Sequence, residues 1–142
     1  MKNKKLFFTL IGIASALMII VSLFFVAQGL IAAQKEQRYF DVYRARAEEY
    51  IRSDPEIINK YGNDVSVRFD NSVTYIRSDE GTFDIFLEVF APQVPDTVEE
   101  FAAGLERIRF NVNIDRNEYE IVFEKNAQGE LVVSSLSEVE KQ

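Results

Sequence analysis

The sequence predicts an α+β protein: an N-terminal transmembrane helix continuing into an amphipathic helix packed on a curved antiparallel sheet of five or six strands. Three observations predict it. Residues 6–33 carry no charge. Residues 34–52 place apolar side chains at helical spacing. After Gly62 the apolar period falls to two, the period of a strand with one buried face.

The first element is Leu6–Ala33, LFFTLIGIASALMIIVSLFFVAQGLIAA, 28 residues without a charged group. A helix rises about 1.5 Å per residue, so about 20 residues cross a hydrocarbon core of about 30 Å. Inside a bilayer the backbone must satisfy its own hydrogen bonds, which makes this segment a helix. Lys2, Lys4 and Lys5 precede it. The positive-inside rule keeps that end in the cytoplasm and sends residues 34–142 outside, a single-pass cell-membrane topology. A cleaved signal peptide has the same basic start, and Ile31-Ala32-Ala33 fits a cleavage site. Its apolar region, however, spans about 7–15 residues. The longer run reads as an uncleaved signal-anchor. No Cys follows it, which excludes a lipoprotein. Gly12-x-x-x-Ala16 and Gly29-x-x-x-Ala33 are small-xxx-small spacings that let two helices approach, the basis for a weak helix-mediated self-association; small residues are also simply common in membrane helices. The chain thus divides into a basic tip with anchor, 1–33, and an extracytoplasmic domain, 34–142.

In residues 34–52, QKEQRYFDVYRARAEEYIR, the side chains of Phe40, Tyr43, Ala47, Tyr50 and Ile51 fall on one stripe. No Pro interrupts Leu6–Arg52, so one nearly continuous helix is expected over that span. Ser53-Asp54-Pro55-Glu56 ends it. Pro55 lacks an N–H and suits the first position of a new helix, with Asp54 as its cap. That short helix carries Ile57, Ile58 and Tyr61 and stops at Gly62, placed in the left-handed region.

Val65–Asp70 and Val73–Arg77 read as two strands joined by a turn at Asp70-Asn71. Asp79-Glu80-Gly81 reads as a tight turn. Phe83–Phe90 is apolar on both faces, the mark of a central strand. Pro92 and Pro95 end it. Asp96 or Thr97 caps a short helix with Val98, Phe101, Ala102 and Leu105 on one face. The runs Ile108–Asp115, Tyr119–Glu124 and Leu131–Leu136 alternate and form an antiparallel meander, turning at Arg116-Asn117 and at Asn126–Gly129. Residues 137–142 read as a frayed tail.

Composition narrows the chemistry. The chain has no Cys, His or Trp. Thiolate chemistry, disulfides and Cys-ligated metals are excluded, and the commonest general base and metal ligand is missing. With Lys2, Lys4 and Lys5 set aside, residues 34–142 hold 13 basic and 23 acidic side chains, net −10. Such a domain does not bind nucleic acid or anionic lipid through a general basic field. No nucleophile elbow, P-loop or dinucleotide fingerprint occurs. Glu118, Glu120 and Glu124 share one strand face. Paired carboxylates do acid/base work or hold Ca²⁺, but a solvated strand face is polar in any case. No catalytic residue, cofactor or metal site is assigned. Two candidate sets remain. Phe86, Phe90, Phe101 and Leu105 line an apolar pocket between sheet and inserted helix, or else fill a core. Arg107, Arg109 and Arg116 gather to meet an acidic partner, or else pair with local glutamates.

A membrane helix, an amphipathic helix, Ser53-Asp54-Pro55-Glu56-Ile57-Ile58-Asn59-Lys60-Tyr61-Gly62 and strands ending in a Glu-rich hairpin follow in that order. This order resembles small single-pass proteins related to the cytochrome c oxidase assembly factor and the mitochondrial presequence-translocase regulatory subunit, and anchored bacterial proteins of similar layout. The Gly-rich stretch of the assembly-factor pattern is absent. The resemblance implies a helix-plus-sheet domain that acts through protein contacts, with no active site. The resulting expectation is a non-enzymatic anchored protein whose external domain docks on another membrane or envelope protein in an accessory or assembly role. The alternative is an extracytoplasmic ligand- or lipid-binding module. A hydrolase built on two carboxylates ranks below both.

Overall fold

A computed structural model describes residues 2–78 and 94–140 of the chain. The elements are α1 (Lys2–Ser53), α2 (Pro55–Tyr61), β1 (Val67–Arg77), α3 (Val98–Ala103), β2 (Leu105–Ile114), β3 (Asn117–Lys125) and β4 (Leu131–Glu138). The described residues divide into two compact units: residues 2–35, and residues 36–78 with 94–140.

In the first unit the helix is apolar all round. Its large side chains from Leu6 to Ile31 are 43–72% exposed. Polar side chains within it turn back on the helix itself: Thr9 Oγ1 donates to the Lys5 carbonyl at 2.9 Å and Ser22 Oγ to the Met18 carbonyl at 2.8 Å.

In the second unit the same helix becomes amphipathic. Phe40, Tyr43, Ala47 and Ile51 are buried. Tyr50, which the sequence places in the stripe, is exposed. Tyr50 is seven residues from Tyr43, only about 20° away around a helix of 3.6 residues per turn, so both lie at the stripe's margin and helical spacing alone does not separate them. The stripe rests on the sheet. Tyr43 meets Phe123 edge-on at 5.4 Å, and Phe40 meets Tyr75 at 5.3 Å and Phe101 at 5.2 Å between ring centroids. Arg44 reaches across to β1 and donates to the Asn71 carbonyl at 3.2 Å.

The helix stops at Ser53. Asp54 accepts from the Glu56 and Ile57 backbone N–H groups, and Pro55 opens α2. Gly62 closes α2 with φ +86, which favours glycine, but its ψ of 179 is extended, not left-handed helical as expected. Its N–H reaches the Ile58 carbonyl at 2.8 Å.

Four antiparallel strands are found among the described residues, in the order β1-β2-β3-β4. The sheet they form is neither closed nor strongly curled. One of the strands expected from the sequence is lost for a local reason. The two strands expected on either side of Asp70-Asn71 are a single strand, β1. The turn-forming residues are absorbed as a bulge: Phe69 pairs with Val112 and Val73 with Phe110, so residues 70–72 all stand opposite Asn111. Asp70 stabilises the bulge by accepting from the Asn71 N–H at 2.7 Å and the Ser72 hydroxyl at 2.9 Å. The expected central strand Phe83–Phe90, with its flanking Asp79-Glu80-Gly81 turn and Pro92, lies outside the described residues.

The β2–β3 turn is one residue earlier than expected, at Asp115-Arg116, with Asp115 at φ 57. An Asp tolerates that region because its short polar side chain bonds locally. Thr97, not Asp96, caps α3, accepting from the Glu100 N–H at 3.2 Å. Leu105, expected on that helix face, opens β2 instead. Strand β4 runs to Glu138, two residues into the expected tail.

The core lies between α1 and one sheet face. Ile108, Phe110, Val112, Ile114 and Ile121 are fully buried on alternate positions. No charged or polar residue is buried among the described residues.

Candidate functional site

Three arrangements in the second unit bring chemical groups together. The first joins the end of α2 to the sheet. Lys60 donates to Glu138 Oε2 at 2.7 Å and to the Tyr119 hydroxyl at 3.2 Å. The Tyr61 and Tyr119 hydroxyls are 2.9 Å apart, and Asn117 Nδ2 donates to Tyr61 at 2.6 Å. Helix α2 presents Lys60 and Tyr61 on its last turn. Alternation brings Asn117 and Tyr119 to the same side of β3.

The electrostatics follow from these contacts. The hydrogen bond from Lys60 holds the Glu138 carboxyl below its ordinary value, although burial opposes it. The same contact, with Tyr119 and Tyr61, raises Lys60. Burial, then the bond to Tyr61, pushes Tyr119 up to about 12. For Tyr61 burial is the largest influence and raises it, but the combined hydrogen bonds from Tyr119, Asn117 and Lys60 outweigh it and lower the hydroxyl. A phenol as high as Tyr119 stays protonated and acts as a donor, not as a base at neutral pH. The cluster therefore ties the C-terminal end of β4 to α2.

The second arrangement is Ser78, Lys125 and Glu106. Lys125 Nζ donates to the Ser78 hydroxyl at 3.0 Å, the Ala103 carbonyl at 2.8 Å and Glu106 at 3.5 Å. A Ser–Lys nucleophile needs an amine lone pair aimed at the hydroxyl. Here the amine's protons face three acceptors, and Lys125 instead joins the end of β1, the end of α3 and the start of β2.

The third arrangement is the sheet face away from α1. Arg107 pairs with Glu124, and Arg109 lies 3.6 Å from Glu120, all four side chains being partly exposed. The candidate partner arginines Arg107 and Arg109 thus stand on one face and engage local glutamates. Arg116 is in the β2–β3 turn, and the structure does not bring it to the Arg107–Glu124 row. Of the candidate pocket residues, Phe101 and Leu105 are buried in the core, Phe101 stacking on Tyr39 at 5.0 Å. Phe86 and Phe90 lie outside the described residues. A shallow open groove runs along α1, lined by Ala45, Glu48, Glu49, Arg52 and Ser53. No group of three or more acidic side chains is placed to hold a metal among the described residues.

Sequence reasoning missed the Lys60–Tyr119–Glu138 cluster. Its signal lay in parity: Tyr119 falls on the inward register of β3. Glu138 was hidden because β4 carries a bulge at Ser134, whose hydroxyl donates to the Val122 carbonyl at 3.2 Å and shifts the register by one.

No family model, curated protein or solved structure matches this chain. The resemblance to single-pass assembly factors gains no support from them, and the functional reading below rests on the chain's own residues.

Proposed function

We propose that this is a single-pass, membrane-anchored, non-enzymatic protein. Its basic tip lies in the cytoplasm and residues 34–142 lie outside. The external domain docks on another membrane or envelope protein in an accessory or assembly role. The observation that carries the reading is the segment Leu6–Ala33: long enough to cross a bilayer, uncharged, and with none of its most apolar stretch buried inside the protein. So much exposed apolar surface needs a non-aqueous environment.

Further support comes from sequence distance. Only residues 34–39 separate the apolar run from Phe40, the first buried residue of the domain. A domain tethered so closely meets its partners at the membrane. The polar clusters described above join secondary elements to one another, a structural use of polar groups consistent with a domain that works by contact.

Crosslinking in native membranes followed by mass spectrometry tests the function. One reproducible membrane or envelope protein is expected. Recovery of the free chain alone under several crosslinkers overturns the reading. Protease added from outside is expected to remove residues 34–142 and spare the basic tip; full protection of the domain would reverse the topology.

A further inference from the structure

The sheet face away from α1 has an ordered pattern of charge. Cross-strand register sets Ile76, Arg107, Glu124 and Val132 in one row, from β1 through β4. The row reads apolar, basic, acidic, apolar. Ile76 is 44% and Val132 42% exposed. The next row is Thr74, Arg109, Val122 and Ser135. Beyond it Asn111 stands opposite Glu120, and Asn113 opposite Glu118. Basic groups thus sit on β2 and acidic groups on β3.

We infer that this face pairs with the same face of a second copy of the chain. A two-fold axis running along the strands between β2 and β3 exchanges left for right. It lays Arg107 of one copy over Glu124 of the other, and Ile76 over Val132. The same operation lays Thr74 over Ser135, Arg109 over Val122 and Asn111 over Glu120. A two-fold interface must be self-complementary, and the Ile76–Arg107–Glu124–Val132 row is. Net charge also favours the face. Residues 34–142 carry −10, so two copies repel over most orientations. Arg68, Arg107 and Arg109 balance Glu118, Glu120 and Glu124 here, with Asp70 at the rim held in its bulge. Glu124 is then shared between its own Arg107 and the Arg107 of the second copy. Four strands about 4.8 Å apart give a narrow face, the scale of a weak, reversible pair.

The absence of Cys makes the test direct. Full-length chains carrying Ile76→Cys and Val132→Cys, with different tags, are mixed in detergent micelles. They are treated with a bismaleimide too short to span from one edge strand to the other. Facing sheets lie about 10 Å apart, whereas residues on opposite edges lie about 14 Å further to the side. The mixture is expected to give at least tenfold more linked pair than either variant alone. Arg107→Glu, added to both chains, sets acid against acid and is expected to lower the yield at least fivefold. Adding Glu124→Arg as well restores the row in mirror order and is expected to recover the yield. Equal linking in the mixture and the single-variant controls overturns the inference. So does association of the chains that yields no 76–132 link, because such a pairing does not use this face. A charge-reversed chain that fails to recover on the second swap overturns it too.

Discussion

Helix α1 is two helices in physical terms. From Leu6 to Ala33 it is apolar on every side, and none of its most apolar stretch is buried among the described residues. From Phe40 to Ile51 it is apolar on one stripe, and that stripe is buried against a sheet. The hydrogen-bond pattern is common to both, so the backbone alone does not tell them apart. The difference lies in where the side chains find an apolar surround. The first stretch requires a solvent, and the second supplies its own by packing. Each stretch should therefore respond to the same insult through a different observable.

The largest effect is expected at Tyr43. It is buried, meets Phe123 edge-on, and carries Arg46 over its ring at 4.9 Å. Tyr43→Asp places a carboxylate in that contact and is expected to destabilise the domain by roughly 2–4 kcal/mol. Urea unfolding of the full chain in micelles, followed by near-ultraviolet circular dichroism, measures it. An unchanged midpoint would mean that the stripe does not support the fold. Leu17→Asp is the matching insult to the other stretch. It is expected to cost about 2.5–3.5 kcal/mol of membrane insertion and leave the domain's unfolding midpoint where it was. Resistance of the chain to alkaline extraction reads the insertion. If Leu17→Asp lowered the unfolding midpoint as much as Tyr43→Asp, the division of the helix into two regimes would fail.

How much of this was legible in the sequence differs between the regions for the same physical reason. The apolar segment depends on composition over a long window, and one uncharged run of 28 residues declares it. The stripe depends on period, and Phe40, Tyr43, Ala47 and Ile51 declare that. Tyr50 misleads because it shares Tyr43's side of the helix to within about 20°, and period alone does not tell which residue at the stripe's margin is covered. The meander was legible because alternation persists through Ile108–Ile114 and Tyr119–Phe123. The bulges at residues 70–72 and at Ser134 were not. A bulge is chosen by the partner strand's register, which no local pattern contains. Both errors follow from this: a turn was expected where Asp70 stabilises a bulge, and a frayed tail where Glu138 meets Lys60. The arginines on β2 were visible as a group, but only pairing register shows that Arg107 stands opposite Glu124 and that Arg109 lies diagonal to Glu120.

A smaller effect is expected where the two helices meet. Asp54 accepts two backbone N–H bonds, at 2.9 and 3.1 Å, which would otherwise lack partners at the start of α2. Asp54→Ala is expected to cost about 1 kcal/mol, and Asp54→Ser to recover most of it. The unfolding midpoint checks both. A loss with Ser equal to that with Ala would show that the charge of Asp54, not its cap, is what matters.

The smallest effect is a dependence on pH, and its sign is fixed by the Lys60–Glu138 contact. Glu138 is held below its ordinary value chiefly by the hydrogen bond from Lys60. A carboxyl that is a stronger acid folded than unfolded contributes stability above the unfolded value. That contribution is lost as pH falls through the folded value. Lys60 is raised, so its share is complete below the ordinary lysine value and fades only in strong alkali. Tyr119, pushed up to about 12, stays neutral throughout the acid range. In acid, therefore, Glu138 is the member of this cluster that titrates. Other carboxylates titrate there too, so the parent's own acid curve does not isolate it. The difference between the parent and Glu138→Gln does. That difference is expected to favour the parent at neutral pH and to shrink toward zero below the carboxylate range, with strong salt reducing it further because both side chains are partly exposed. A difference that stays constant from neutral to acid pH would mean that Glu138 contributes by packing alone. The tie of α2 to the sheet would then rest on the contact of Tyr61 with Tyr119 of β3 rather than on the ion pair.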